Sequence, residues 1–181
     1  MAKYADRRAV VVVGAASGIG LAIAKRLVEG GAEVLLTART PQERVRMGNE
    51  LGSAARVVAP GALEGCLAPG DGVDLLFADA MSTVQALVPS LRDGGAVVLT
   101  ALPPSPASVH ALARELVSRG IRVNAVAPGC IEAPGGGAVP LPPLGRLGAA
   151  EEVARAALFL ATDATFTTGA RLPVDGGLGP P

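Results

Sequence analysis

The chain is poor in aromatic residues, in charge and in cysteine. Aromatic side chains make up 2% of its 181 residues and tryptophan is absent, whereas a surface that stacks single-stranded nucleic acid needs more of them. The 16 basic residues are balanced by 16 acidic ones, so no net basic field attracts nucleic acid or an anionic membrane. These shortages predict a protein that binds neither nucleic acid nor a membrane.

The two cysteines, Cys66 and Cys130, are too few and too widely spaced for a disulfide framework. They indicate reduced thiols and a cytoplasmic location. The first apolar stretch, from Ala9 to Ala24, is interrupted by glycines and follows no basic leader, so it predicts neither a signal peptide nor a membrane span. No metal site is predicted.

Hydrophobic residues make up 50% of the chain, and short Val- and Leu-rich runs alternate with longer segments of helical period. This alternation predicts an α/β fold, with a parallel sheet covered by helices on both faces, in one domain over residues 1–181. The expected strands are Ala9–Val13, Glu33–Thr37, Arg56–Ala59, Val73–Ala78, Ala96–Thr100, Ile121–Val126 and Arg171–Val174. The expected helices are one starting near Gly18, then Pro41–Leu51, Ser82–Leu91, Ser105–Arg119 and Ala149–Ala161, while Cys130–Gly148 is expected to form a loop.

A glycine-rich turn links the first expected strand to the first expected helix. The first glycine permits a tight turn, and the other two allow close approach to a pyrophosphate and packing of the helix on the sheet. The free N–H groups of the helix start then face the phosphates. The candidate cofactor-binding residues here are Gly14, Ser17, Gly18, Ile19 and Gly20, and the alternative is a packing turn without a ligand.

The second expected strand runs into Ala38 and Arg39, where a site that prefers NAD(H) carries an acid for the ribose hydroxyl. A guanidinium pairs instead with a 2′-phosphate, so Arg39 favours NADP(H) over NAD(H). The alternative is a solvated surface arginine.

Three further stretches matter: Gly120–Gly129, Pro143–Gly148 with Glu151–Ala154, and Thr168–Gly169 with Val174–Gly177. Together with the glycine turn they span nearly the whole chain, and in them it resembles the short-chain dehydrogenase/reductase family. The resemblance implies a Rossmann-type three-layer sandwich with a mostly parallel sheet in the order 3-2-1-4-5-6-7, and NAD(P)(H) as cofactor. It also implies cofactor contacts from Pro128, Gly129 and Ile131 and a homo-oligomer, at least a homodimer, acting on a small-molecule ligand.

The chain departs from this family where proton transfer is carried out. The family uses Tyr-x-x-x-Lys with a serine, but the single tyrosine here is Tyr4 and the only lysines are Lys3 and Lys25. The serine position falls on Ala101, and the segment that usually carries an active-site asparagine is missing after Ala78. We therefore expect ordinary ketoreductase activity to be lost and cofactor binding to be weakened or absent. A neighbouring subunit that supplied Tyr4 and Lys3 would overturn this expectation.

Other residues offer only weak substitutes. Asp79, after the fourth strand, is a candidate acid or base, with capping of a helix that begins at Ser82 as the plainer interpretation. Cys130 is a candidate nucleophile, with a small buried side chain as the alternative. Side-chain alternation turns the Thr100 hydroxyl away from the site, and Asn124 is expected to satisfy local backbone groups.

Four interpretations stay open. The chain is an atypical NADP(H)-dependent oxidoreductase with unusual acid groups, or a non-catalytic protein that senses a dinucleotide or binds a partner. It is otherwise a non-redox isomerase or lyase using the same cleft, or a shortened chain without activity.

The expected homodimer involves the helices Ser82–Leu91 and Ser105–Arg119, which pack across a two-fold axis in the family. The second helix carries a wide apolar stripe, and Ala107 and Ala111 on it allow close approach. The stripe consists of Val109, Leu112, Ala113, Leu116 and Val117.

Overall fold

The computed structural model describes residues 2–12, 17–67, 72–101, 105–133 and 139–179. Its centre is a seven-stranded sheet in the order β3-β2-β1-β4-β5-β6-β7, in which every neighbouring pair is parallel. This confirms the predicted Rossmann-type order. The strands are β1 (Arg8–Val11), β2 (Glu33–Thr37), β3 (Ala55–Val58), β4 (Val73–Ala78), β5 (Leu91–Leu99), β6 (Arg122–Pro128) and β7 (Arg171–Val174).

Five α-helices cover the two faces of the sheet: α1 (Ser17–Glu29), α2 (Pro41–Leu51), α3 (Met81–Leu87), α4 (Pro106–Leu116) and α5 (Ala150–Leu158). The start of α2 is fixed by a capping box between Thr40 and Glu43, and that of α4 by the Ser105 hydroxyl, which accepts the Ser108 N–H. Gly120 follows α4 in the left-handed conformation, which a glycine adopts without steric cost.

Strand side chains alternate between two hydrophobic cores, as the period of two requires. In β1, Ala9 and Val11 pack with α1, α2 and α5 on one face. Val10 and Val12 pack with α3 and α4 on the other. Because both faces are covered, β4 is buried at all six of its positions, which explains its nearly continuous apolar sequence.

Some expected boundaries are wrong. Strand β5 begins at Leu91, where Leu91 pairs with Val73 before a register shift; the polar and glycine-containing run from Arg92 to Gly95 conceals this extension in the sequence. The helix expected to reach Leu91 therefore ends at Leu87, followed by a 3₁₀ turn over Val88–Ser90. Strand β6 also runs on to Pro128 rather than ending at Val126.

The two later helices also end differently from the expectation. Helix α4 gives way to a 3₁₀ turn at Val117, which rotates that side chain out of the expected stripe and leaves it 59% exposed. Helix α5 closes with a π turn over Phe159–Asp163. Among the described residues, no helix is both long and apolar enough to cross a bilayer.

Candidate functional site

The candidate site lies at the carboxyl edge of the sheet, where its central strands end. Backbone bonds continue past these ends: the Val12 N–H donates to Phe77 at 2.8 Å and the Thr100 N–H to Ala78 at 2.9 Å. The chain order reverses between β1 and β4, and ligands of open parallel sheets bind in the crevice beyond such a reversal. By this rule a ligand is expected above the ends of β1 and β4, and we call that place the crevice.

The first turn of α1 opens onto this crevice. Helix α1 begins at Ser17, its first turn contains no acidic residue, and Gly18 is exposed while Ile19 is 4% exposed and anchors the turn in the core. A helix N-terminus without an acid of its own offers its N–H groups and its positive dipole to an anion. This fits the pyrophosphate of a dinucleotide. Gly14 lies outside the described residues.

The end of β2 carries no acid that faces a ribose. Ala38 is buried at the strand end, and the nearby Glu43 carboxylate accepts the backbone N–H groups of Arg39 at 3.1 Å and Thr40 at 3.3 Å. That carboxylate is therefore committed to the start of α2. The Arg39 side chain is exposed and forms no ion pair within the part of the chain that the structure describes.

Beyond β4 and β5 the polar groups bond to one another. The Asp79 carboxylate accepts the Thr83 hydroxyl at 3.0 Å, and the N-cap of α3 is Ala80, which caps without a side chain. The expected capping by Asp79 of a helix starting at Ser82 is therefore wrong, because α3 starts one residue earlier. The Thr100 hydroxyl donates to the Ala78 carbonyl at 3.3 Å and is buried.

The segment after β6 is held close to the end of β7. The Gly129 N–H donates to Val174 at 3.0 Å, and a Cβ on Gly129 would lie 2.6 Å from the Cα of Asp175, so only glycine fits there. Pro128 pairs with Val174, and Ile131 packs against the core beneath α1 and α5. These residues follow directly after the end of β6, and we call Pro128–Ile131 the β6 wall.

A cleft of about 320 Å³ lies behind this wall, and the half-buried Cys130 lines it rather than being fully enclosed as expected. Arg146 and Glu152 line the same cleft and form a bidentate ion pair at 2.8 and 2.7 Å. Together with the Ala149 N–H, Arg146 lowers the pKa of Glu152 to about 2. Site prediction from sequence missed this pair, although an acid in the first turn of α5 was a signal for it.

The structure does not assemble the candidate catalytic residues into one centre. Asp79 follows β4 and Cys130 follows β6, so β5 separates them by two strand spacings, about 10 Å. Asn124, buried in β6, bonds to the Thr167 carbonyl and the Ala170 N–H, which confirms its predicted role toward the backbone.

Tyr4 and both lysines lie away from the crevice. Tyr4 is 8% exposed beside Gly30, before the amino end of β1, and its N–H donates to the Gly30 carbonyl at 2.7 Å. Lys3 pairs with Asp163 at 2.9 Å, and Lys25 of α1 pairs with Glu50 of α2. The Tyr4 ring and the two amines are thus engaged in the structure of the scaffold.

Comparison with known proteins gives two family matches. Residues 8–88 match the model described as short chain dehydrogenase, and residues 106–179 match the one described as Enoyl-(Acyl carrier protein) reductase. Two similar curated relatives are a 3-oxoacyl-[acyl-carrier-protein] reductase FabG of Salmonella typhimurium and a galactitol 2-dehydrogenase (L-tagatose-forming) of Cereibacter sphaeroides. The first is 31% identical over 96% of this chain and 98% of the relative, and the second is 30% identical over 95% of each.

A solved structure of similar architecture is the 3-oxoacyl-[acyl-carrier protein] reductase of Brucella melitensis, with a TM-score of 0.81, 26% identity, and coverage of 97% of this chain and 92% of the other. The Salmonella alignment spans 238 positions, 57 more than the 181 residues of this chain, so that relative has at least 57 residues without a counterpart here. The sheet order, the crevice and an identity that extends over nearly the full length of both chains lead to one conclusion: this chain belongs to the short-chain dehydrogenase family of oxidoreductases.

Proposed function

We propose that this protein binds NADP(H) in the crevice above β1 and β4 and does not carry out ordinary carbonyl reduction. The observation that carries the proposal is the location of its single tyrosine. Tyr4 is buried at the amino edge of the sheet, and position 8, four residues later, is arginine rather than lysine. The scaffold of the family is retained, while its usual proton donor has no equivalent in the crevice.

The support for dinucleotide binding comes from three places around the crevice. The first turn of α1 offers N–H groups without a competing acid, the β2 end offers an exposed Arg39, and Pro128–Gly129 forms the β6 wall. Arg39 suits a 2′-phosphate because a guanidinium donates two parallel hydrogen bonds to phosphate oxygens. The preference for NADP(H) over NAD(H) follows from that charge.

The support for absent carbonyl reduction is chemical. When bound, the nicotinamide supplies a hydride, and the carbonyl oxygen also needs a proton and a hydrogen-bond donor. The Thr100 hydroxyl already donates to Ala78, Ala101 has no donor side chain, and Asp79 already accepts from Thr83. Positioned acid–base catalysis typically contributes about 10²–10⁴-fold, and that contribution is what we expect to be missing.

The test is a titration with NADPH followed by nicotinamide fluorescence, together with turnover on a panel of ketones and 3-oxoacyl thioesters. We expect saturable binding and no carbonyl-dependent oxidation of NADPH. Arg39→Gln should weaken NADPH binding about tenfold and leave NADH binding unchanged, because it removes a charge-assisted hydrogen bond to the 2′-phosphate. Arg44→Gln, an exposed arginine on α2, is the matched control.

Two outcomes would reject the proposal. Oxidation of NADPH at a rate typical of a ketoreductase would show a proton donor that we have not identified. A ligand that binds only the folded state raises the thermal midpoint of unfolding. If millimolar NADPH leaves that midpoint unchanged, the proposal that the protein binds NADP(H) is rejected. Turnover of a substrate without any cofactor would favour the non-redox alternative, with Asp79→Asn and Cys130→Ser as the variants that identify its catalytic group.

We also propose a homo-oligomer, at least a homodimer, in which α3 and α4 face a second copy. Ala107 and Ala111 of α4 are exposed and small, and Val117 after α4 is exposed as well, so a second helix can approach closely. Sedimentation velocity at micromolar concentration should show a dimer or a larger species. A purely monomeric profile would refute this.

A further inference from the structure

The segment from Leu144 to Ala149 is tied to α5 by a single side-chain pair. Both guanidinium nitrogens of Arg146 donate to the two Glu152 carboxylate oxygens, at 2.8 and 2.7 Å, and Nη1 also donates to the Leu147 carbonyl at 3.0 Å. Oxygen Oε2 of Glu152 accepts the Ala149 N–H at 2.9 Å. We call Arg146 and Glu152 the clasp. It fixes the path of the chain as it enters α5.

The residue between the two ends of the clasp pairs with the wall of the crevice. The Gly148 N–H donates to the Cys130 carbonyl at 3.0 Å, and the Glu132 N–H donates to the Gly148 carbonyl at 2.8 Å. These bonds form a short parallel bridge between Ile131 and Gly148, directly after Pro128 and Gly129. The clasp and the β6 wall are therefore linked through the two backbone hydrogen bonds of Gly148.

The clasp differs from the other exposed ion pairs of the described residues in its geometry. Lys3 and Asp163 share one contact, at 2.9 Å, and Arg8 and Glu33 come no closer than 3.9 Å. A bidentate pair with an added backbone donor restricts rotation in a way that a single exposed contact does not. The lowered pKa of Glu152 agrees with a charged carboxylate that is hydrogen-bonded by Arg146 and the Ala149 N–H.

We propose that Arg146 and Glu152 are positioning residues for the dinucleotide crevice: by holding Gly148 against Cys130–Glu132 they set the position of the Pro128–Ile131 wall. The cofactor half of this inference rests on the proposed function, whereas the effect of the clasp on the wall does not. Neither side chain touches the cofactor in this proposal. They act through the two backbone bonds of Gly148.

The first arm of the experiment needs no cofactor. Amide hydrogen exchange of Glu132 and Gly148 is measured in the wild type, in Arg146→Gln, in Glu152→Gln and in the matched control Asp163→Asn, which breaks an exposed pair at the opposite edge. We expect roughly threefold faster exchange at these two amides in both clasp variants, a change that the loss of one surface pair can produce, and no change in the control. Unchanged exchange, or an equal acceleration at the buried Val98 amide, would overturn the inference, because the pair would then have no local role.

The second arm measures NADPH affinity by fluorescence. We expect the dissociation constant to rise roughly threefold in each clasp variant, to rise no further in the double variant, and to be restored only in part by Arg146→Lys, since lysine cannot pair in bidentate fashion. If the wild type binds NADPH and the clasp variants bind it equally well, the positioning role is refuted. If the wild type does not bind NADPH, the proposed function fails, and the exchange arm still decides whether the clasp holds the wall.

Discussion

The two edges of the sheet differ in how far their charged side chains are engaged by the protein itself. At the amino edge, Asp74 is 3% exposed and accepts the Arg8 N–H and the Arg92 guanidinium, each at 2.8 Å. Arg122 donates there to three carbonyls that close α5, and Tyr4 fills the space beside Gly30. At the carboxyl edge, by contrast, Arg39 is exposed and the first turn of α1 has no acid.

This contrast separates the residues that hold the scaffold from those that we propose to contact a ligand. The amino edge is built from charges and from one phenol that satisfy the scaffold itself, so their removal should affect stability and leave the ligand alone. At the carboxyl edge, the clasp and the Asp79–Thr83 bond also hold the scaffold. The exposed Arg39 and the acid-free first turn of α1 are the places where a change should affect the ligand first. Substitutions at the two edges should therefore separate effects on stability from effects on ligand binding.

The largest effect is expected at Tyr4. Tyr4→Ala removes a buried ring and should lower the free energy of unfolding by about 3 kcal/mol, as truncation of a buried aromatic side chain does. Urea unfolding measures this, and the stabilisation that NADPH adds should be the same in the variant and the wild type. Tyr4→Phe is the control and should stay within about 1 kcal/mol. A loss of NADPH binding in Tyr4→Phe would place the phenol in the ligand site and contradict its assignment to the scaffold.

The second-largest loss of stability is expected at Arg122. Its guanidinium donates to Leu160, Ala161 and Ala164 at 2.7, 2.6 and 3.0 Å, and partial burial lowers its pKa. Arg122→Leu leaves these carbonyls without their charged donor, which should cost about 2 kcal/mol of unfolding free energy. Arg122→Lys should recover part of the loss, since one ammonium reaches fewer acceptors. A variant as stable as the wild type would show that water replaces the guanidinium.

A substitution at Gly129 tests how the carboxyl edge affects both stability and NADPH affinity. In Gly129→Ala the new Cβ would lie 2.6 Å from the Asp175 Cα, which is backbone, so β6 and β7 must separate. We expect a loss of about 2 kcal/mol and a weaker NADPH affinity, measured by urea unfolding and by fluorescence. Gly48→Ala is the matched control: it lies inside α2 with nothing within 4 Å of its Cβ position, and it should stabilise by about 0.5–1 kcal/mol. Equal effects of the two substitutions would contradict the argument.

The smallest effect is the pH dependence of the clasp. The pKa of Glu152 lies near 2 in the folded protein, against an ordinary value of 4.5. A folded pKa below the unfolded one means stabilisation that is complete above about pH 4.5 and is lost as the pH falls toward 2. The thermal midpoint of the wild type should exceed that of Glu152→Gln by no more than about 2 °C at pH 6, and the difference should shrink below pH 4.5. A difference that grows with acidification would have the wrong sign for this pair.

The sequence was informative about the fold because its signals are local. Val- and Leu-rich runs located seven strands, and Ser105 with Pro106 marked the start of α4 within one residue. The first half of β5 was missed because Arg92–Gly95 has the composition of a turn, and only its pairing beside β4 makes it a strand. A local sequence pattern contains no information about which neighbouring strand will supply the backbone hydrogen bonds.

The site was less predictable than the fold. Pro128 and Gly129 were named through the family resemblance and Arg39 from its place after β2, and their contact with a cofactor stays a prediction. The pairing of Arg146 with Glu152 depends on how the loop turns, and six residues of separation do not determine that. Likewise Asp79 was expected to cap a helix, and it accepts the Thr83 hydroxyl instead. Side-chain partners across a loop are set by the folded path of the backbone.

The positions of the one tyrosine and the two lysines exclude a Tyr-x-x-x-Lys motif from this chain, and the sequence alone is enough to show it. The sequence also determined the alternation of strands and helices, because side-chain period and chain order are properties of the covalent polymer. The folded structure sets three further features: Tyr4 is buried at the amino edge, Arg122 donates to the carbonyls that close α5, and Gly148 pairs with Cys130 and Glu132. These three features depend on which segments of the chain contact one another, and the packing of the described strands and helices determines those contacts.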